Sequence, residues 1–262
     1  MKKIFFPLLI LTFSTQLYAQ VKTKSAKEQK KVIRKERIIA IAKQEEEGVI
    51  TYNKHFLGGI KLTTDGYGGF LEIGRAQTVK KALLFQLDIS ERKHPKEEKQ
   101  FSQSSNAGPF IYGKINFFYP IKLGVQQQFL LGNKGNKNGV SVSANVGGGI
   151  SIGLLRPYLL GYDSAGIQIF KGLADDSTRF LTQDPISGPN FGTGFNKLKV
   201  TPGAYAKAGL RFDYGKFNEM INAIEVGVVA EFYSKAIPQM AFTKHEKFFF
   251  SAYVTLMFGK RK

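Results

Sequence analysis

Between Gly139 and Gly153 the side chains separate by parity. Val140, Val142, Ala144, Val146, Gly148, Ile150 and Ile152 fall on one side, and Ser141, Ser143, Asn145, Gly147, Gly149, Ser151 and Gly153 on the other. Side chains alternate faces along a strand, so this segment has one apolar face and one face of small polar groups. Alternation this long is uncommon in strands packed on a soluble core. A strand crossing an outer membrane takes about 9–11 residues, apolar toward lipid and polar toward a lumen. The same pattern recurs along the chain, so the sequence predicts an all-β, membrane-spanning architecture.

The first nineteen residues read as a secretory signal. Lys2 and Lys3 supply the positive start, Ile4 to Phe13 the apolar stretch, and Leu17-Tyr18-Ala19 a cleavage site before Gln20. The apolar stretch is shorter than the roughly 20 residues of a membrane helix. With 0 Cys, the chain is expected to carry neither a disulfide, thiolate chemistry nor a lipoprotein anchor. Charged or polar residues interrupt every later apolar run, which leaves a closed barrel as the way to satisfy backbone groups in lipid. The formal charge is +18. Strong basicity often points to nucleic acid or anionic surfaces. For an exported barrel, phosphate-bearing outer-membrane lipid is the expected partner and nucleic acid is not.

Residues 20–50 form a basic periplasmic lead, Lys- and Arg-rich and then acidic at Glu45 to Glu47. Ile33, Ile38, Ile39 and Ile41 give a weak apolar stripe, so this lead is a tail or a short helix. Residues 51–262 are assigned to the barrel. Period two and turn punctuation predict about ten strands, with eight or twelve as the other counts. They are 55–63, 67–75, 82–90, 108–118, 121–131, 139–153, 158–170, 198–213, 223–233 and 247–258. The long connections 91–106 and 171–197, and the lesser 132–138 and 235–245, all follow odd strands. That asymmetry of long outer and short inner loops is expected of an up-and-down outer-membrane barrel. Tyr67, Tyr119, Tyr158, Tyr162, Tyr233 and Phe258 fall near strand ends, where interfacial girdles form.

The signal, the basic lead, the Gly-rich amphipathic strands and the ending Ala252-Tyr253-Val254-Thr255-Leu256-Met257-Phe258-Gly259-Lys260 resemble outer-membrane β-barrel proteins of Bacteroidota. The resemblance covers about His55 to Lys262. It implies location in the cell outer membrane and no particular activity.

Inward parity places Lys61, Lys114, Lys122, Lys207 and Arg211 inside, together with Glu72, Asp88, Asp213, Glu225 and Glu231. A barrel this small has little open interior. Charges there are expected as hydrogen-bonded pairs, with Arg211 near Glu225 and Lys207 diagonal to Glu231. Lys93, Lys96, Lys99, Lys134 and Lys137 are expected at an outer rim, where they can meet lipid phosphates or an acidic partner. Histidine occurs at His55, His94 and His245, and the last two fall in predicted outer loops. With Glu97, Glu246 or Asp175 nearby they could bind a metal or act as a base, but no Asp–His or Ser–His pattern falls at strand tops, so no catalytic residue, metal ligand or cofactor is assigned. The glycines at 147–149 lie within a strand and do not form a phosphate cradle. The expected function is a non-enzymatic envelope module, binding an envelope partner or serving as accessory subunit of a larger complex. A narrow channel for small solutes and a surface hydrolase are the alternatives.

Overall fold

The parity of 139–153 is realised in a strand of 17 residues. The computed structural model describes residues 53–261 except 102–107, 136–138, 165, 166, 174, 184, 190, 191 and 216–218. The signal and the basic lead lie outside the described residues. In chain order the strands are β1 Lys54–Thr63, β2 Gly66–Thr78, β3 Lys81–Arg92, the short β4 Lys99–Gln100 and β5 Phe110–Ile111, β6 Asn116–Gly132 and β7 Ser141–Pro157. Then follow the short β8 Leu160–Ser164 and β9 Ile167–Lys171, β10 Lys199–Asp213, β11 Met220–Ile237 and β12 Glu246–Arg261. One short helix, α1 (Ser177–Thr182), is capped by Asp176, whose carboxylate accepts from the Arg179 backbone N–H at 3.0 Å.

Eight long strands close an antiparallel ring in the order β1-β12-β11-β10-β7-β6-β3-β2. The ring is an up-and-down barrel, because consecutive long strands are neighbours throughout. β1 completes it by pairing with β12 from His55↔Arg261 to Thr63↔Tyr253. Closure leaves no ring edge with unpaired backbone groups.

The ring holds eight strands rather than ten, for two local reasons. Tyr119-Pro120 is not a turn: β6 runs through it, merging predicted strands 108–118 and 121–131. Proline has no N–H to donate. The β3–β6 ladder passes from Ile89↔Ile121 to Arg92↔Phe118, so Pro120 sits where that ladder is interrupted. The predicted strand 158–170 instead becomes the β8–β9 hairpin, outside the ring. Tyr158, Leu159, Leu160 and Tyr162 are all buried, without the alternation a ring strand requires. Tyr158, Leu160 and Tyr162 form a small apolar core with Phe110 and Phe180 beyond the ring.

At one end of the barrel, here the loop end, lie 93–115, 158–198 and 238–245. The other, terminal end carries the start of β1, the end of β12 and the connections 79–80, 133–140 and 214–219. The predicted asymmetry therefore holds for the three longest segments. Segment 132–138 moves to the terminal end, because merging two predicted strands reverses the direction of β6.

Outside the ring the alternating positions are apolar and exposed, as at Phe56, Ile60, Phe85, Ile150, Val226 and Phe250. Inside they are mostly polar or charged, yet buried. Most apolar interior residues collect near the two ends, while Tyr205, Val229 and Tyr253 pack together at mid-height. Leu57, Phe70, Ile221, Ala223 and Met257 pack together toward the terminal end. Phe118, Leu155, Tyr233 and Ile237 do so toward the loop end, where Phe249 joins them. Of the predicted girdle residues, Tyr67 and Phe258 are exposed and Tyr119 is half-buried. Tyr158, Tyr162 and Tyr233 are corrections: each is about 1% exposed or less, turned inward to pack or to hydrogen-bond.

Candidate functional site

The interior is a continuous polar column assembled from every ring strand. Strand pleating aims alternate side chains inward, and glycines at 124, 147, 149 and 227 leave room for long ones. A Cβ at Gly124, for example, would meet Tyr205 Oη at 2.4 Å.

Near the terminal end, Arg211 is the hub. Its Nη1 and Nη2 donate to Glu72 Oε1 and Oε2, both at 2.8 Å. Its Nε also donates to Glu225 Oε2 at 3.0 Å. Arg211 and Glu225 are direct cross-strand partners, as predicted from the strand connection. Asn145 Nδ2 donates to Glu225 at 2.7 Å, and His55 Nε2 lies 3.2 Å from Glu72. Such forked guanidinium–carboxylate contacts are the strong members of their class.

At mid-height, Lys207 Nζ reaches Glu225 Oε1 and Gln86 Oε1, each at 3.0 Å. Tyr253 Oη donates to Glu225 Oε1 at 2.8 Å. Lys61 pairs with Asp88, and both Lys61 and Lys207 lie within 5.0 Å of the Tyr253 ring centre. Nearer the loop end, Lys122 Nζ contacts Glu231 at 3.0 Å and Asp88 at 3.4 Å. Arg92 joins Glu231 at 3.0 Å and Asp65 at 2.6 Å, and its guanidinium sits 4.7 Å from the Phe249 ring. Tyr233 Oη donates to Glu231 at 2.6 Å.

Nine of the ten predicted interior charges thus face the interior of the ring and have a charged partner. Lys114 is the exception. It sits in the connection before β6, where a bridge joins it to Met240 and its Nζ contacts Glu97 at 2.6 Å. It was placed inside because 108–118 was read as a ring strand. Lys207 stands opposite Val229 and so diagonal to Glu231, as predicted, but its Nζ pairs with Glu225. His55, Arg92, Lys134 and Arg261 were missed. Arg92 lies two residues past the predicted strand 82–90, yet continuing that strand's even-inward parity would have found it.

At the terminal end, Asp213 binds Arg261 and lies 3.5 Å from Lys134 Nζ, which also donates to Gly215 O at 2.5 Å. Lys134 is therefore not on the outer rim: it is buried at the opposite end, and burial lowers its pKa despite Asp213. Lys137 lies outside the described residues. A pocket of about 440 Å³ opens at this end, with His55, Gln128, Ser143 and Asp213 among its walls.

At the loop end, Lys93, Lys96 and Lys99 are exposed, as the rim assignment requires. His94 Nδ1 accepts from the Lys96 backbone N–H at 3.1 Å. Burial lowers the His94 pKa, opposed by Glu97 and Glu246. Glu97 reaches the His94 backbone N–H at 3.1 Å rather than its ring. His245 Nε2 lies 3.3 Å from Met240 O. Among the described residues no cluster of three His, Asp or Glu is arranged to hold a metal.

No protein-family model matches the chain, and no curated protein matches it. Solved structures with a similar course include the N-terminal β-barrel domain of Pseudomonas aeruginosa OprF, at 13% identity over 79% of this chain and 98% of that one, TM-score 0.35. Neisserial surface protein A (NspA) is similar at 10% identity over 80% and 96%, TM-score 0.37. Ail, the attachment invasion locus protein of Yersinia pestis, is similar at 10% identity over 81% and 100%, TM-score 0.38. Likeness at this level assigns no residue and no activity. The fold here rests on the closed ring itself.

Proposed function

We propose that this protein is an outer-membrane β-barrel that acts as a non-enzymatic envelope module, with a closed interior and a loop end that meets its partners. The observation that carries the reading is the reversal of ordinary burial. Large apolar side chains are exposed on all eight ring strands, while lysines, arginines, aspartates and glutamates fill the inside. Water would penalise an apolar belt of that extent, and lipid would not. The export signal and the resemblance of 55–262 to Bacteroidota barrels favour the same location.

The interior argues for closure. Its charges are engaged with one another, whereas a selective anion pore needs an unbalanced ring of Lys and Arg. Eight strands enclose a space that side chains fill. The module therefore works through its loops, as a partner-binding anchor or an accessory subunit of a larger complex.

The test of location is fractionation. The chain is expected to pellet with outer membranes, to resist alkaline carbonate, and to migrate faster in detergent gels when unheated. Recovery in the soluble fraction contradicts the proposal.

A further inference from the structure

The loop end carries an aromatic pair that the barrel does not need. Tyr112 and Phe242 stack with ring centres 6.2 Å apart at an interplanar angle of 17°. They remain 42% and 67% exposed. Two distant segments are joined to make this pair. The Ala241 N–H donates to Gly113 O at 2.7 Å, and the Ile115 N–H to Gln239 O at 2.8 Å. Gly113 adopts φ 72°, and a Cβ there would press Phe242 at 3.1 Å. The exposed rings are therefore held by a specified turn rather than left on a free strand of chain.

Lysines lie on the segments that neighbour the pair. Lys99 on β4 stands opposite Ile111, the neighbour of Tyr112. Lys93, Lys96 and Lys244 are exposed on the segments that meet here. Glu98 and Glu246 are the exposed acids of the same segments, while the charge of Glu97 is taken by Lys114 at 2.6 Å. The surface is thus aromatic and net cationic. It stands just beyond the apolar belt, whose Phe248 and Phe250 lie on β12 a few residues after Phe242.

We infer that this surface binds the phosphorylated sugar headgroup of an outer-leaflet glycolipid. Aromatic faces stack on the apolar C–H side of a sugar ring, and the lysines meet its phosphates. Position at the belt's edge selects a headgroup already in the membrane over a soluble partner. This inference rests on the outer-membrane reading above.

The test uses the mature chain refolded into phosphatidylcholine nanodiscs. These contain a minor fraction of either diphosphoryl lipid A or, at equal charge, phosphatidylglycerol. Lipid retained on the protein is counted by native mass spectrometry. Lipid A is expected to be retained about fivefold over phosphatidylglycerol. Phe242→Leu, which keeps apolar bulk, and Tyr112→Ala are each expected to remove most of that preference. Lys96→Gln with Lys99→Gln is expected to lower lipid A retention, and Lys80→Gln at the terminal end to leave it unchanged. Equal retention of the two lipids overturns the inference, as does a preference that survives both aromatic substitutions or falls equally with Lys80→Gln. Failure of the chain to insert overturns the membrane reading itself, and insertion without preference overturns this inference alone.

Discussion

Arg211 and its two carboxylates fix how the interior is held. All three are essentially buried, and each is satisfied only by the others and by a few neighbours. Replacing Arg211 with Met leaves the buried Glu72 without its guanidinium partner and Glu225 with Lys207 as its cation, which costs about 3–5 kcal/mol. Removing the charge pair together, as Arg211→Met with Glu72→Gln, which keeps Glu225 for Lys207, is expected to restore much of that loss. Urea titration of the heat-modifiable form measures both, and equal stability of Arg211→Met and wild type contradicts the network. At Gly74 the interior is packed by geometry: a Cβ there would meet the His55 ring at 1.9 Å. Gly74→Ala is expected to destabilise by about 1–3 kcal/mol, and Gly135→Ala, with open space around it, by much less. Inward parity made nine of these charges legible, because side-chain period two survives small errors in strand ends. Lys114 was not legible, since a loop and a strand can share a two-residue rhythm.

At the scale of elements, the loop-end cap depends on a few polar stitches. Lys114 is buried, and burial lowers its pKa while Glu97 opposes the shift. Tyr158, pushed up to about 12 by burial, stays a neutral acceptor for the Ile111 N–H at 2.8 Å. Glu97→Gln is expected to loosen 93–99 and speed tryptic cleavage there at neutral pH. Unchanged cleavage contradicts a structural role for the pair. His94 gives the cap a pH dependence. Its pKa in the folded cap lies below the 6.5 of a free imidazole, with burial the main cause. An opened loop therefore takes up the proton first, and opening is favoured as pH falls through 6.5. Hydrogen exchange across 93–99, corrected for its intrinsic pH dependence, is expected to be level above that pH and faster below it. His94→Asn removes the dependence. The cap was the least legible part of the chain. Tyr119-Pro120 reads locally as a turn, and only pairing with β3 and β7 shows why a strand tolerates it. The run 158–162 reads as strand by composition, but its burial comes from packing against Phe110 and Phe180, far away in sequence.

For the whole molecule, the sequence pattern specified class, closure and loop asymmetry, because these follow from alternation and from connection length. The number of strands did not follow, since it turns on two segments whose fate is decided by distant contacts. On the proposed reading the polar interior is a sealed, ion-paired column. Planar-bilayer recording on the refolded mature chain tests it most directly. A correctly folded, heat-modifiable barrel is expected to leave the bilayer silent across a wide voltage range. Reproducible unitary steps from the same preparation would contradict a sealed interior and make the protein a small channel.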